Sequence, residues 1–468
     1  MFSVFFQKVP GQFNELNMRR IFLFFFTLFF ASSMEAQFTI SQNHRYVVKT
    51  DGSPFFWLGD TAWELFHRLN REQASYYLKR RSEQGFTVVQ AVVLAEFDGL
   101  HVPNPYGDLP LKFDDPAQPN EAYFQHVDYI IDKAAEYNIT IALLPSWGDK
   151  IFKSTWGKGP EIFTVDNAKI YGQWLGNRYK NKKNIIWIIG GDRIPQNETH
   201  KQIWRSMAAG VEAGVGGQDK AMMSFHPQPN ELGAGEYFYD DGWLDFNMFQ
   251  TGHCRDTRVF DKIQASYKRT PAKPVLDGEP IYEDHPVCFN VNDMGTSNAY
   301  DVRKSAYLDV FAGAFGHTYG CHDIWQFYSP YREAVNGPHV YWQEAMELPG
   351  ANQMKWLRKL MESRSLLDRV PDQSLVVEND LSASERIQAT RGNDYAFIYT
   401  AAGRAFTVNM GKISGARVNV SWFNPKNGTI KKAEAVSNKG QQKFTPPGQG
   451  HGQDWILILD DESKKYAD

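Results

Sequence analysis

From Asn184 to Arg193 the chain reads Asn-Ile-Ile-Trp-Ile-Ile-Gly-Gly-Asp-Arg, an apolar run that ends abruptly in two glycines and a carboxylate. A short, continuous apolar run suits a strand covered on both faces, as in parallel sheets, where a half-exposed strand would alternate. With both faces covered, such a strand presents polar chemistry only at its tip. Pro274-Val-Leu-Asp-Gly-Glu-Pro280 ends in the same way, at Glu279.

The pattern recurs along the chain with helical stretches between. Phe55–Leu58 runs into Gly59-Asp-Thr-Ala-Trp63, and Thr87–Leu94 runs toward Glu96. Ile139–Leu144 leads to Trp147, Ala221–Phe225 to His226, Phe246–Phe249 to His253, and His317–Trp325 supplies an eighth run. Helices are predicted from Asn70, whose side chain with Gln73 makes a capping box, and over 121–137, 165–179, 200–213, 257–268 and 301–315. Eight such strands alternating with helices predict an α/β fold, a (β/α)8 TIM barrel over 37–370. A doubly wound open sheet is the competing architecture, but no Gly-rich phosphate fingerprint opens a helix. The long polar segment 97–120 reads as a functional or disordered loop. Beyond Arg369-Val-Pro-Asp372 the pattern changes to short strands (374–377, 387–390, 395–400, 406–409, 416–422 and 455–459), which predicts a small C-terminal β-sandwich over 371–468.

The N-terminus reads as a targeting segment. Met18-Arg-Arg20 is a positive flank, Ile21–Phe30 an apolar stretch and Met34-Glu-Ala36 a small-residue cleavage site. Residues 1–36 are therefore expected to be a signal peptide, with Met18 a candidate start, and the mature protein to be exported to the periplasm or medium without a membrane anchor. Lys plus Arg total 50 against 54 for Asp plus Glu, a net charge of −4, which gives no reason to expect a nucleic-acid partner. The three cysteines, Cys254, Cys288 and Cys321, exclude a disulfide scaffold. The expectation is buried thiols, with a Cys254–Cys288 bridge between neighbouring loops as the alternative.

In a barrel the strand tips share one face, so Asp192 after strand four and Glu279 after strand seven open on one cleft. Two carboxyl groups so placed suit cleavage of a glycosidic bond, one protonating the leaving oxygen while the other attacks or activates water. Taken singly, either acid is as well explained by a salt bridge at the rim, such as Asp192 with Arg193. The other tips bring Asp60, Trp63, Glu96, Trp147, Arg193, His226, His253, His322, Trp325 and Gln326 as candidate sugar-binding groups, by stacking or by hydrogen bonding. No metal-binding spacing such as HExxH occurs, and no cofactor is expected.

Gly59-Asp-Thr-Ala-Trp63, Gly190-Gly-Asp192 and Gly278-Glu-Pro280 resemble the bacterial apiosidase-like glycoside hydrolases, the family numbered 140. The tail, with Trp422-Phe-Asn-Pro-Lys-Asn-Gly428, is similar to the β-domain that accompanies these barrels and carries a collagen-binding label. The resemblance implies that Asp192 is the acid/base and Glu279 the nucleophile of a retaining enzyme. It also implies a pectin substrate, the apiose linkages of rhamnogalacturonan II. The alternatives are a hydrolase of another plant or host glycan, or a non-catalytic surface protein that binds carbohydrate or collagen.

Overall fold

The computed structural model describes Met1, Ser3 and residues 37–466. The expected signal peptide lies outside the described residues. Among the described residues, no helix is long and apolar enough to cross a membrane.

After a hairpin of Phe38–Ile40 and Val47–Lys49, eight parallel strands follow: β1 (Trp57–Thr61), β2 (Val88–Leu94), β3 (Thr140–Ser146), β4 (Ile185–Gly190), β5 (Met223–His226), β6 (Asn247–Gln250), β7 (Val275–Glu279) and β8 (Gly316–Tyr319). All are buried apart from Ile185, the first residue of β4, which is partly so, in keeping with their unbroken apolar runs. The sheet curls until β8 pairs with β1, Gly316 opposite Trp57 and Tyr319 opposite Asp60. It is registered as two ladders, β8-β1-β2-β3-β4-β5 and β6-β7. At the joins single bonds replace a ladder: Asp245 N–H donates to Met223 O across β5 and β6, and Phe315 N–H to Val275 O across β7 and β8. The fold is thus α/β with a curled parallel sheet. The continuous ladder expected of a barrel is interrupted where the strands shorten to four residues.

The principal helices are α1 (Arg71–Glu83), α2 (Glu121–Glu136), α3 (Val165–Tyr179), α4 (Glu198–Val215), α5 (Val259–Tyr267), α6 (Ala299–Ala312) and α7 (Pro349–Glu362). The Asn70–Gln73 capping box starts α1, because each side chain satisfies a backbone N–H that the first turn leaves free. Thr164 and Asn167 do the same for α3. The eighth strand is shorter than its sequence suggests. Cys321 O accepts the Trp325 N–H, so His322–Trp325 is one helical turn.

The C-terminal part is antiparallel. Val370–Pro371, β9 (Ile387–Arg391), β10 (Tyr395–Thr400), β12 (Arg417–Phe423), β13 (Ile430–Ser437) and β15 (Trp455–Asp461) form one sheet, and β11 (Phe406–Asn409) with β14 (Gln441–Phe444) the other. Their facing side chains, among them Ile398, Phe406, Val420 and Leu457, make a second hydrophobic core. In place of the strand expected over 374–377, Ser374 and Leu375 belong to a single 3-10 turn, Gln373–Leu375.

Candidate active site

The tips of β4 to β7 are level with one another. Gly190 pairs with His226, and Gln250 with Glu279. The register slips by one residue at Gly278, a bulge that turns Glu279 into the cleft. A Cβ at 278 would meet the Met248 sulfur at 2.7 Å, so a larger residue there has to push that side chain aside. At the end of β4, Gly190, Gly191 and Asp192 all take positive φ (92°, 143° and 45°). The first two values favour glycine, while aspartate is among the few residues that tolerate the third. This turn brings the Asp192 carboxyl over the sheet end.

His226 ties the two acids together. The Asp192 backbone N–H donates to His226 Nδ1 at 3.4 Å, so the ring proton belongs on Nε2. Nε2 then lies 3.0 Å from Glu279 Oε2, close enough for strong attraction although the pair lacks the angles of a hydrogen bond. His253 Nε2 approaches the other oxygen, Oε1, at 3.5 Å. Burial works to raise the Glu279 pKa, but the two imidazoles outweigh it and hold the carboxyl well below the usual carboxylate range. Asp192 goes the other way, to about 6, raised by burial and by the Glu279 charge, with Arg193 opposing. Its side chain keeps 22% of its surface open, so a sugar filling the cleft desolvates it further. One carboxyl held charged beside one held protonated is the division of labour that acid/base and nucleophilic chemistry require.

A third acid stands nearby. Burial and the Asp192 charge push Glu96, at the tip of β2, up to about 8, so near neutrality it is a hydrogen-bond donor. Arg193 lies between the acids: Nη1 contacts Asp192 Oδ2 at 3.3 Å and Nη2 stands 3.8 Å from Glu96 Oε1. Its guanidinium stacks 4.7 Å from the Trp156 ring.

These groups open into a cleft of about 610 Å³. Of the residues expected from sequence, Trp63, Glu96, Trp147, Asp192, His253, Glu279 and Trp325 line it. Arg193, His226 and His322 are buried and do not line it; Arg193 and His226 support the acids, and His322 packs edge-on against His285. Two expected contacts are corrected. Asp60 is fully buried and takes hydrogen bonds from Tyr77 Oη (2.5 Å) and Arg81 Nε (2.6 Å), an ion pair beneath the site. Gln326 is spent on the following loop, bonded through both ends of its amide to Val335. Both sit near a strand end, but their side chains point away from the cleft.

The cleft also contains residues that the strand-tip argument did not name. Gln250 closes β6 and followed from the same rule as its neighbours. Trp156, Lys158, Tyr282, His285 and Phe289 come from the loops after β3 and β7, where no sequence spacing announces a direction. The cysteine expectation is also corrected: Cys254 and Cys288 form a disulfide with Cα atoms 4.6 Å apart, and Cys321 remains a buried thiol. Among the described residues, no group of three or more His, Cys, Asp or Glu side chains is arranged to hold a metal ion.

Known proteins share this fold. A solved structure titled "Glycoside hydrolase" is 35% identical over 92% of this chain and 98% of its own, with a TM-score of 0.84. A glycoside hydrolase family 5 structure from Bacteroides vulgatus ATCC 8482 is also 35% identical, over 92% of this chain and 95% of its own, with a TM-score of 0.85. No curated protein matches the sequence. Residues 370–460 match the family described as "Putative collagen-binding domain of a collagenase". Residues 41–368 match the model described as "Apiosidase-like, catalytic domain", and the chain belongs to that family.

Proposed function

We propose that this protein is a retaining glycoside hydrolase whose nucleophile is Glu279 and whose acid/base is Asp192. The observation that carries the reading is the opposed tuning of two acids at one cleft, Glu279 held charged by His226 and His253 and Asp192 held protonated to about 6. In the first step Glu279 attacks the anomeric carbon while Asp192 gives its proton to the departing oxygen. In the second, Asp192, now a carboxylate, takes a proton from water as that water displaces Glu279. Trp63, Trp147 and Trp325 supply apolar faces for the sugar ring, and protonated Glu96 a donor to a hydroxyl. On this reading the eight strands work as a (β/α)8 barrel of family 140. The substrate is an apiose linkage of rhamnogalacturonan II, supported by the apiosidase-like family match, and the chain acts as an exported enzyme.

The test is product analysis on rhamnogalacturonan II oligosaccharides, with the anomeric configuration followed by NMR. Release of apiose with retained configuration is expected. Glu279→Gln should abolish turnover. Asp192→Asn should lose about 10²–10⁴-fold, the usual share of a general acid, and recover when the leaving group is a good one. Retained turnover in Glu279→Gln sinks the assignment of roles. Release of a different sugar removes the substrate reading alone.

A further inference from the structure

One wall of the cleft is braced covalently. Cys254 directly follows His253, and Cys288 directly precedes Phe289, so the disulfide joins the loop after β6 to the loop after β7. The Cys288 N–H donates to His253 O at 2.9 Å, so the bond and the bridge grip the same residue. His253 reaches Glu279 Oε1 at 3.5 Å on one side and stacks on His285 at 4.1 Å on the other. Phe289, 63% exposed, stands edge-on to His253 at 5.6 Å and to His285 at 4.9 Å and forms part of the cleft lining. Cys288 and Phe289 both take positive φ (51° and 60°), which costs backbone energy for such residues and needs a constraint to persist.

We propose that the Cys254–Cys288 bridge is a positioning element of the active site, holding His253 against the Glu279 carboxylate and Phe289 at the mouth as a face for the sugar beyond the cleaved bond. The proposal rests on the reading of Glu279 as nucleophile. Without the bridge, only hydrogen bonds and ring contacts join the loops that carry His253 and Phe289, and no hydrogen bond fixes the His253 ring from behind, because its Nδ1 is buried without a partner. The groups that face Glu279 are His226 from β5, His253 from the loop after β6, Asp192 from the end of β4, and Tyr282 and His285 from its own loop. Burial and the neighbouring His253 and His322 push His285 down to about 2, so His253 stacks on a neutral ring that does not compete for the carboxylate. Loss of the His253 contact removes one of the two groups that hold the nucleophile charged, and the Glu279 pKa then rises.

Cys254 is exposed and Cys288 half-buried, so the bridge is open to a reductant in the folded protein. Dithiothreitol converts it to two thiols while itself closing to a cyclic disulfide. The test compares oxidised enzyme, dithiothreitol-reduced enzyme and the Cys254→Ser/Cys288→Ser variant on rhamnogalacturonan II oligosaccharides, with folding checked by circular dichroism. In both bridge-free forms kcat is expected to fall about 10–100-fold, the scale of an ångström's misplacement, and the acid limb of the pH profile to move to higher pH. KM should rise through Phe289, and reoxidation of the reduced enzyme should restore all three. A purely structural bridge would lower Tm and leave the acid limb in place, which overturns the proposal. Hydrogen–deuterium exchange reads the wall without substrate: faster exchange at the Cys288 amide and through residues 285–289 is expected on reduction, and unchanged exchange overturns it. Glu279→Gln separates the two ideas. If it is inactive while the bridge-free forms behave as wild type, the brace fails and the nucleophile stands; if it retains turnover, the nucleophile reading has failed.

Discussion

At the scale of single residues, the division of labour proposed for the two acids sets a pH profile. As the proposed nucleophile, Glu279 works as a carboxylate, and His226 and His253 keep it one far into the acid range. As the proposed acid, Asp192 works protonated, and it loses its proton at about 6. The sign follows: kcat/KM holds at acid pH and falls above about pH 6, approaching tenfold per unit once Asp192 is mostly ionised. A profile flat from pH 6 to 8 would refute this. Because the Glu279 charge is one cause of the elevation, Glu279→Gln should bring the Asp192 pKa down, which carbon NMR of the labelled carboxyl can read. Both acids were legible in the sequence because each ends an apolar run. Their opposed protonation was not, since it comes from burial of Asp192 beside the Glu279 charge and from His226 and His253, which reach Glu279 from other parts of the chain.

At the scale of elements, the close of β4 is the critical turn. A Cβ on Gly191 would meet the Trp147 ring at 2.7 Å, on a backbone with φ of 143°. The Gly191 carbonyl also accepts the Gly148 N–H at 3.0 Å, tying the β4 tip to the β3 loop. Gly191→Ala must therefore displace either Trp147 or Asp192. We expect kcat/KM to fall about 10–100-fold with the fold retained, as kinetics beside a circular dichroism spectrum would show. Activity within twofold of wild type would mean that the turn has slack. The same scale shows where the pattern of residues misleads. Cys321–Trp325 carries apolar and aromatic side chains that read as a strand, but a backbone bond from Trp325 to Cys321 winds it into a helical turn. The reverse error hides β13, whose Lys431, Lys432 and Glu434 look like a loop. It is an edge strand, where charge on an exposed face guards against pairing with another chain.

For the whole molecule, the C-terminal β-domain is bound to the α/β part through buried contacts. Arg303 of α6 makes a two-pronged ion pair with Asp454, at 2.7 Å and 2.6 Å, with side chains 3% and 0% exposed. Beside it the rings of Tyr307 and Tyr399 stack at 5.2 Å, and Arg369, just before the boundary, donates both to the carbonyls of Val310 and Ala314 and to Thr390 Oγ1 in β9. Among the described residues, Val377 is the one large hydrophobic side chain strongly exposed in this domain. The buried contacts brace the two parts against each other. Asp454→Ala leaves the buried Arg303 guanidinium without its charge partner, which typically costs about 3–5 kcal/mol. A fall in Tm of several degrees is expected by calorimetry, and an unchanged Tm would show that the two parts are only loosely joined.

The sequence by itself determined the parts whose cause is local. Apolar runs made buried strands, capping boxes started α1 and α3 at their observed residues, and glycines before Asp192 and Glu279 marked the tips that carry acids. Strand order then aligned those tips, because parallel strands share a polarity and bring their C-terminal ends to one side. Only the tertiary structure decided which way each side chain turns at its tip. Asp60 points down to Arg81, Gln326 back to Val335, and His226 inward to join Asp192 with Glu279. It alone placed Trp156 and Phe289 at the mouth and closed Cys254 on Cys288. Loop direction and side-chain pairing are set by contacts far apart in the chain, and short-range periodicity carries no record of those contacts.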